Sequence, residues 1–209
     1  MRSTPERRSG ELRPTLTNRL FGLVWEPVDL EGVVASPYEG RDALAFVEEH
    51  YPRIFGGADR NGTLLTEPTS EAKRRFVDEM DVFTFRQSGN LIGISMTHPT
   101  DWSSYYFRSF ALLEAARSHG LARRFFHYLR PRLRAVGVQH IEAEVQASNA
   151  HMMHVIAAEG FVVTGTIASE RWGLIVRMTH HLTEAAQNAF VSTYAPNRVR
   201  APHNHEEER

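Results

Sequence analysis

The part of this chain best equipped for chemistry is Arg117-Ser118-His119-Gly120-Leu121-Ala122, with small residues at Ser118, Gly120 and Ala122 where a β-prone run gives way to a helical one. The first backbone N–H groups of a helix have no partner within it, and the helix dipole adds partial positive charge. A diphosphate set on such a turn is therefore bound by the main chain. Small side chains let the phosphates approach. Arg117, Arg123 and Arg124 can add charge-assisted contacts to phosphate oxygens. A turn glycine beside a solvated arginine face would read the same way, so the elements around the turn have to decide.

After the turn, Leu121, Phe125, Leu129 and Leu133 recur every fourth residue and predict a helix from His119 to Val136, closed by Gly137 and kinked or shortened at Pro131. Before it, Val82 to Gln87 and Leu91 to Thr97 flank Ser88-Gly89-Asn90 as a hairpin, and Tyr105 to Leu113 is a third strand. Downstream, Ile141, Ala143 and Val145 alternate with His140, Glu142 and Glu144, which predicts a strand with one apolar and one polar face. Asn149 to Glu159 reads as a short helix stopped by Gly160, Phe161 to Ile167 and Trp172 to Met178 as a β-pair, and Thr183 as the cap of a last helix to Tyr194. Upstream, Leu20 to Trp25 is an apolar run of strand type, and Arg41 to Ile54 has a helical period. Thr69 or Ser70 can cap a further helix with Phe76, Val77 and Met80 on its inner face. The chain is thus expected to be α/β (α+β).

The 209 residues suit one domain, with 42% hydrophobic and 23% charged residues as in ordinary globular proteins. We expect a polar, disordered arm over residues 1–18, a folded domain over 19–182, and a C-terminal helix and disordered tail over 183–209. A net charge of -1 gives no overall attraction for nucleic acid or an anionic membrane. The absence of cysteine excludes disulfides, thiolate metal sites and a cysteine nucleophile. His203 and His205 lie in the polar tail without a scaffold, so no metal site is expected. No 18-residue apolar stretch and no signal-type N-terminus is present, which predicts a cytoplasmic protein.

The run Tyr106-Phe107-Arg108-Ser109-Phe110-Ala111-Leu112-Leu113, followed by Arg117-x-x-Gly120-x-Ala122, resembles the central strand and coenzyme loop of the GNAT superfamily of acyl-coenzyme A-dependent N-acetyltransferases. That family's pattern is Arg or Gln, two residues, Gly, one residue, then Gly or Ala. A second family motif, Asn opening the next helix with Gly-Phe following it, is matched by Asn149 and Gly160-Phe161. The resemblance spans roughly residues 40–182. It implies a mixed, mostly antiparallel central sheet splayed between two strands and flanked by helices on both faces.

The resemblance also implies roles. Phe110, Ala111 and Leu112 would pair with the pantetheine amides as a pseudo-strand. Arg117, Ser118, His119, Gly120, Leu121 and Ala122 would hold the pyrophosphate, and Asn149 would contact the coenzyme arm or a water. Acetyl-coenzyme A, or another acyl-coenzyme A, would be the co-substrate, with no metal. The acceptor would be a primary amine of a small metabolite, and a homodimer is compatible with the pattern. Ile156 stands where the family often has the Tyr that protonates the thiolate; His154 and Ser148 are the nearby substitutes. Tyr106 occupies the position where some members carry a Glu base, and Glu144 on the next strand is the other candidate. The candidate catalytic residues are therefore Tyr106, Glu144 and His154, each also readable as a packing, salt-bridged or surface residue. Transfer of a longer acyl group, or acyl-coenzyme A sensing without turnover, are the alternative functions.

Overall fold

The computed structural model describes residues 14–38, 40–55, 71–170 and 172–194. Among the described residues six α-helices and eight strands follow in order: α1 Leu16–Phe21, β1 Val28–Asp29, β2 Val33–Tyr38, α2 Gly40–Phe55, α3 Glu71–Asp78, β3 Asp81–Gln87, β4 Asn90–Pro99, β5 Ser104–Leu112, α4 Leu121–Ala135, β6 His140–Gln146, α5 Ala150–Ala158, β7 Val162–Ser169, β8 Gly173–His181 and α6 Glu184–Tyr194. The strands form one sheet in the order β1-β2-β3-β4-β5-β6-β8-β7. Every pairing is antiparallel except β5 with β6. This is the mixed, mostly antiparallel sheet that the family resemblance implied.

The local predictions hold where a period or a turn signal was strong. Ser88 and Gly89 both have positive φ, 49° and 82°, so the β3–β4 hairpin closes on the primed two-residue turn whose twist matches its strands. Leu121, Phe125, Leu129 and Leu133 are all buried on α4. Ile141, Ala143 and Val145 are buried on β6, while the residues between them are partly exposed. Val77 and Met80 are buried, whereas Phe76 stays half-exposed. Thr69 and Ser70, the expected caps of α3, lie outside the described residues, as do His203 and His205.

Two expectations need correction. Leu20 to Trp25 is not a strand: α1 covers Leu16–Phe21, capped by the Thr15 side chain and ended by Gly22 at φ 67°. Part of the expected arm is therefore folded, because the Thr15 and Thr17 hydroxyls bond the buried carboxylate of Asp81 on β3. Strands β1 and β2 have no counterpart among the predicted elements, since Ser36 and Pro37 demote that run as a strand. Helix α4 runs to Ala135, one residue short of the predicted Val136, with Pro131 inside it. Pro131 is exposed, and so is His127, whose carbonyl the proline cannot satisfy, so water can do so.

The sheet is covered on both faces. One core joins Phe83, Phe85, Tyr105, Phe107 and Ile141 to α4 and α5 through Phe125, Phe126, Leu129 and Ile156. The other joins Val82, Ile94, Met96 and Ala111 to α2 and α3 through Phe46, Val47, Val77 and Met80. These two layers set which side chains can meet above and below the sheet.

Candidate coenzyme and acceptor site

Strands β5 and β6 share only four rungs, from Ser104 opposite His140 to Phe107 opposite Ala143. Beyond that point β5 continues to Leu112 against β4, while β6 continues to Gln146 against β8. The cause of the parting lies in the register. Thr97 faces Phe107 but Met96 faces Ser109, so Arg108 is an extra residue that bends β5 as a bulge. The result is a V-shaped opening in the middle of the sheet, edged by main-chain groups that no neighbouring strand takes up.

At the far end of β5, a short 3-10 turn at Glu114–Ala116 leads into the Arg117 to Ala122 loop. Ser118 and Gly120 both have positive φ, 63° and 73°. Gly120 is the N-cap of α4 without a side-chain capping bond, and Arg124 N–H is the first to bond back, to the Gly120 carbonyl at 3.1 Å. The N–H groups of Ser118 through Arg123 donate no hydrogen bond among the described residues. A diphosphate fits such a row of free amides. A Cβ on Gly120 would lie 3.3 Å from Nη1 of Arg124, so glycine serves both the φ and the space.

The three arginines divide their work. Arg117 Nε donates to the Leu112 carbonyl at 3.0 Å, tying the loop to the end of β5. Arg124 braces the loop from behind: Nη1 donates to the His119 carbonyl at 2.8 Å, Nε to the Leu30 carbonyl at 3.1 Å, and the guanidinium pairs with Glu31. Arg123 pairs with Glu159 at 3.2 Å. Phe110 packs among Phe85, Phe107 and Phe125, Ala111 in the α2 and α3 core, and Leu112 in the opposite core. Asn149 caps α5, its Oδ1 accepting from Met152 N–H at 3.1 Å.

On the α2 and α3 face of the opening the structure brings Tyr106 and Glu144 together. The Tyr106 hydroxyl donates to Glu144 Oε2 at 3.1 Å, and Arg177 of β8 donates to Oε1 from Nη2 at 2.6 Å and from Nε at 3.2 Å. Burial, reinforced by the Glu144 charge, pushes the Tyr106 phenol up to about 12. Tyr106 is thus a proton donor and no base near neutrality. His154 is exposed on α5, and no hydrogen bond or ring contact joins it to this pair. Ile156 is fully buried against α4.

The fold brings four further residues to this face: His98, Tyr51, Ser109 and Arg108. His98 on β4 lies 5.5 Å from the Tyr106 ring and 5.7 Å from that of Phe76, centroid to centroid. Its Nδ1 lies 2.9 Å from the Pro99 carbonyl, which can only accept, so Nδ1 carries the hydrogen and Nε2 is a buried lone pair without a partner among the described residues. Desolvation holds this imidazole below its usual value, keeping it neutral. Tyr51 of α2 bonds Ser109 at 2.5 Å, and burial pushes its phenol up to about 12. Arg108 lies over the Phe76 ring. The sequence carried no signal for these because the bulge and the β4–β5–β6 neighbourhood assemble them.

Among the described residues no three His, Asp or Glu side chains are grouped for a metal ion. No described helix is long and apolar enough to cross a membrane.

The sequence pattern of the Acetyltransferase (GNAT) family matches residues 44–161, more than half of the 209-residue chain. No curated protein matches the chain in sequence. Among solved structures, the fold is similar to a putative acetyltransferase of Salmonella typhimurium determined with its cofactor acetyl-CoA, at 16% identity and TM-score 0.57 over 73% of this chain and 95% of that one. It is also similar to the spermidine/spermine N-acetyltransferase of Vibrio cholerae, at 16% identity and TM-score 0.56 over 77% and 98% of the two chains. A ribosomal-protein-alanine N-acetyltransferase of Brucella melitensis aligns at 19% identity and TM-score 0.52 over 70% and 98%.

Proposed function

The chain belongs to the GNAT acetyltransferase family, and we propose that it is an N-acetyltransferase that moves the acetyl group of acetyl-coenzyme A directly onto a primary amine of a small metabolite. The observation that carries this reading is the opening between β5 and β6, which runs to a loop whose amides Ser118 through Arg123 are unpaired.

Those amides would take the pyrophosphate, with the Arg117 guanidinium beside them. The free edge of β5 at Phe110, Ala111 and Leu112 would pair with the pantetheine amides. Asn149 already spends its side-chain carbonyl on capping α5, which leaves its amide N–H groups for the coenzyme arm. When bound, acetyl-coenzyme A supplies an activated thioester in the opening, with a thiolate as leaving group.

The chain must then provide a neutral amine, a donor for the developing oxyanion and a proton for the thiolate. Tyr106 would take the donor role by turning its one phenolic hydrogen, which rests on the Arg177-held carboxylate of Glu144, onto the oxyanion. His98 suits the base, through the lone pair on Nε2. His154 has no role in this scheme.

A second reading is favoured by Ile156, which lies buried where the family often has its acidic Tyr: a domain that binds acyl-coenzyme A without turnover. Thiol release from acetyl-, butyryl- and octanoyl-coenzyme A against a panel of amines, beside calorimetric binding of each, tests both readings and the acyl length. Release with acetyl-coenzyme A supports the transferase. Binding without release for every amine defeats it in favour of the sensor.

A further inference from the structure

The bulge in β5 does more than open the sheet. It turns two consecutive side chains, Arg108 and Ser109, toward the α2 and α3 layer, where Arg108 meets Phe76 of α3 and Ser109 meets Tyr51 of α2. Arg108 is exposed, and no described carboxylate is paired with it. Its guanidinium carbon lies 5.2 Å from the Phe76 ring centroid, and among the described residues it makes neither an ion pair nor a hydrogen bond. A second cation of this face, Arg177, is paired by the two-pronged bond to Glu144.

A guanidinium resting on an aromatic ring keeps its planar fork of N–H donors for an in-plane oxyanion. Burial dominates the titration of Tyr51, His98 and Tyr106, raising the two phenols and lowering the imidazole, and the positive charge of Arg108 acts on all three from its place among the groups that line this face. It is not a second pyrophosphate contact. The loop that would hold phosphate lies at the other end of β5 and leads into α4, which packs on the opposite face. From Arg108 a row of rings, Phe76, His98 and Tyr106, leads to Glu144, so a cation stands at one end and the proton-accepting groups at the other.

We infer that the acceptor is a primary amine that also bears a carboxylate, and that Arg108 is the residue that recognises this carboxylate; this rests on the acyl-transfer reading. The amine end lies toward His98 and the opening, the carboxylate on the Arg108 fork. A polycationic acceptor would meet the free guanidinium unfavourably.

The test is thiol release from acetyl-coenzyme A with matched acceptors: the α-amino acids, β-alanine and 4-aminobutyrate, each beside its amide and its decarboxylated amine, with spermidine and phosphoethanolamine as further arms. For the preferred acceptor, kcat/KM of the acid should exceed that of the amide by about 10- to 100-fold, as for loss of a charge-assisted pair. In R108Q that ratio should fall toward one, and in R108K it should be intermediate. An acid-to-amide ratio near one in the wild type, a ratio that survives R108Q, or preference for spermidine or phosphoethanolamine overturns the inference. Calorimetry of acetyl-coenzyme A on each protein separates the two levels: absence of binding to the wild type brings down the acyl-transfer reading as well, whereas normal binding with no acid preference brings down the acceptor assignment alone.

Discussion

Tyr106 donates its phenolic hydrogen to Oε2 of Glu144 at 3.1 Å, bridging β5 and β6 at the place where the two strands part. Because Arg177 holds the other carboxylate oxygen, the phenol has one favoured direction and a reason to keep its proton.

Removing that hydroxyl in Tyr106→Phe should lower kcat by about 10-fold or more, the lower range for losing a positioned proton donor. With the phenol pushed up to about 12, subtracting the variant's absorbance at 295 nm from that of the wild type should show no phenolate below pH 10. Wild-type kcat in the variant, or a difference signal at pH 9, would remove Tyr106 from the chemistry.

His98 should titrate below its usual value near 6.5, because burial disfavours the imidazolium. The sign follows from linkage: the unfolded chain takes up the proton first, so this group's contribution to stability is intact above pH 6.5 and is lost as pH falls through the folded value. Histidine NMR titration locates the midpoint. Where His98 acts as base, His98→Gln should also lose the acid limb of kcat/KM; an unchanged limb assigns that limb elsewhere.

At Gly120 the effects of fold and function can be separated. Gly120→Ala should cost roughly 1–2 kcal/mol in urea denaturation for placing a β-carbon in the left-handed region. Gly120→Trp should abolish calorimetric binding of acetyl-coenzyme A while the far-ultraviolet circular dichroism stays native. Unaltered affinity would show that the loop is not the cradle.

Asp81 anchors α1 through Thr15 and Thr17 and also accepts from Tyr105 at 2.6 Å. Burial raises its carboxyl above the ordinary value in spite of those bonds. A raised folded value means that the native state holds a proton the unfolded chain has lost, so stability falls as pH rises from about 4 through the folded value. Asp81→Asn cannot ionise. Its stability relative to the wild type should therefore rise between pH 4 and pH 7, and a pH-independent difference would refute the argument.

Much of the frame was legible from local signals. The four-residue recurrence of Leu121 to Leu133, the alternation on β6 and the Ser88-Gly89 turn each express a period or a φ preference contained in a few adjacent residues, and each predicted element is present. The loop at Arg117 to Ala122 was legible for the same reason, since a strand ending in small residues before a helix leaves amides free wherever it occurs. Even here local reading erred at Leu20 to Trp25, where Asp81, more than sixty residues away in sequence, determines that Thr15 and Thr17 begin a helix.

The face opposite α4 was decided by tertiary structure. Glu144 meets Arg177 because β8 inserts between β6 and β7, His98 meets Tyr106 because β4 and β5 are neighbours, and Arg108 faces Phe76 because one extra residue bends β5. Strand order and register depend on contacts among residues far apart in the chain, and a shift of one residue turns a side chain to the other face. Composition and periodicity therefore determined an α/β domain with a glycine turn ahead of α4, while the neighbours of Tyr106, His98 and Arg108 are assembled only once the sheet has closed its long-range pairs.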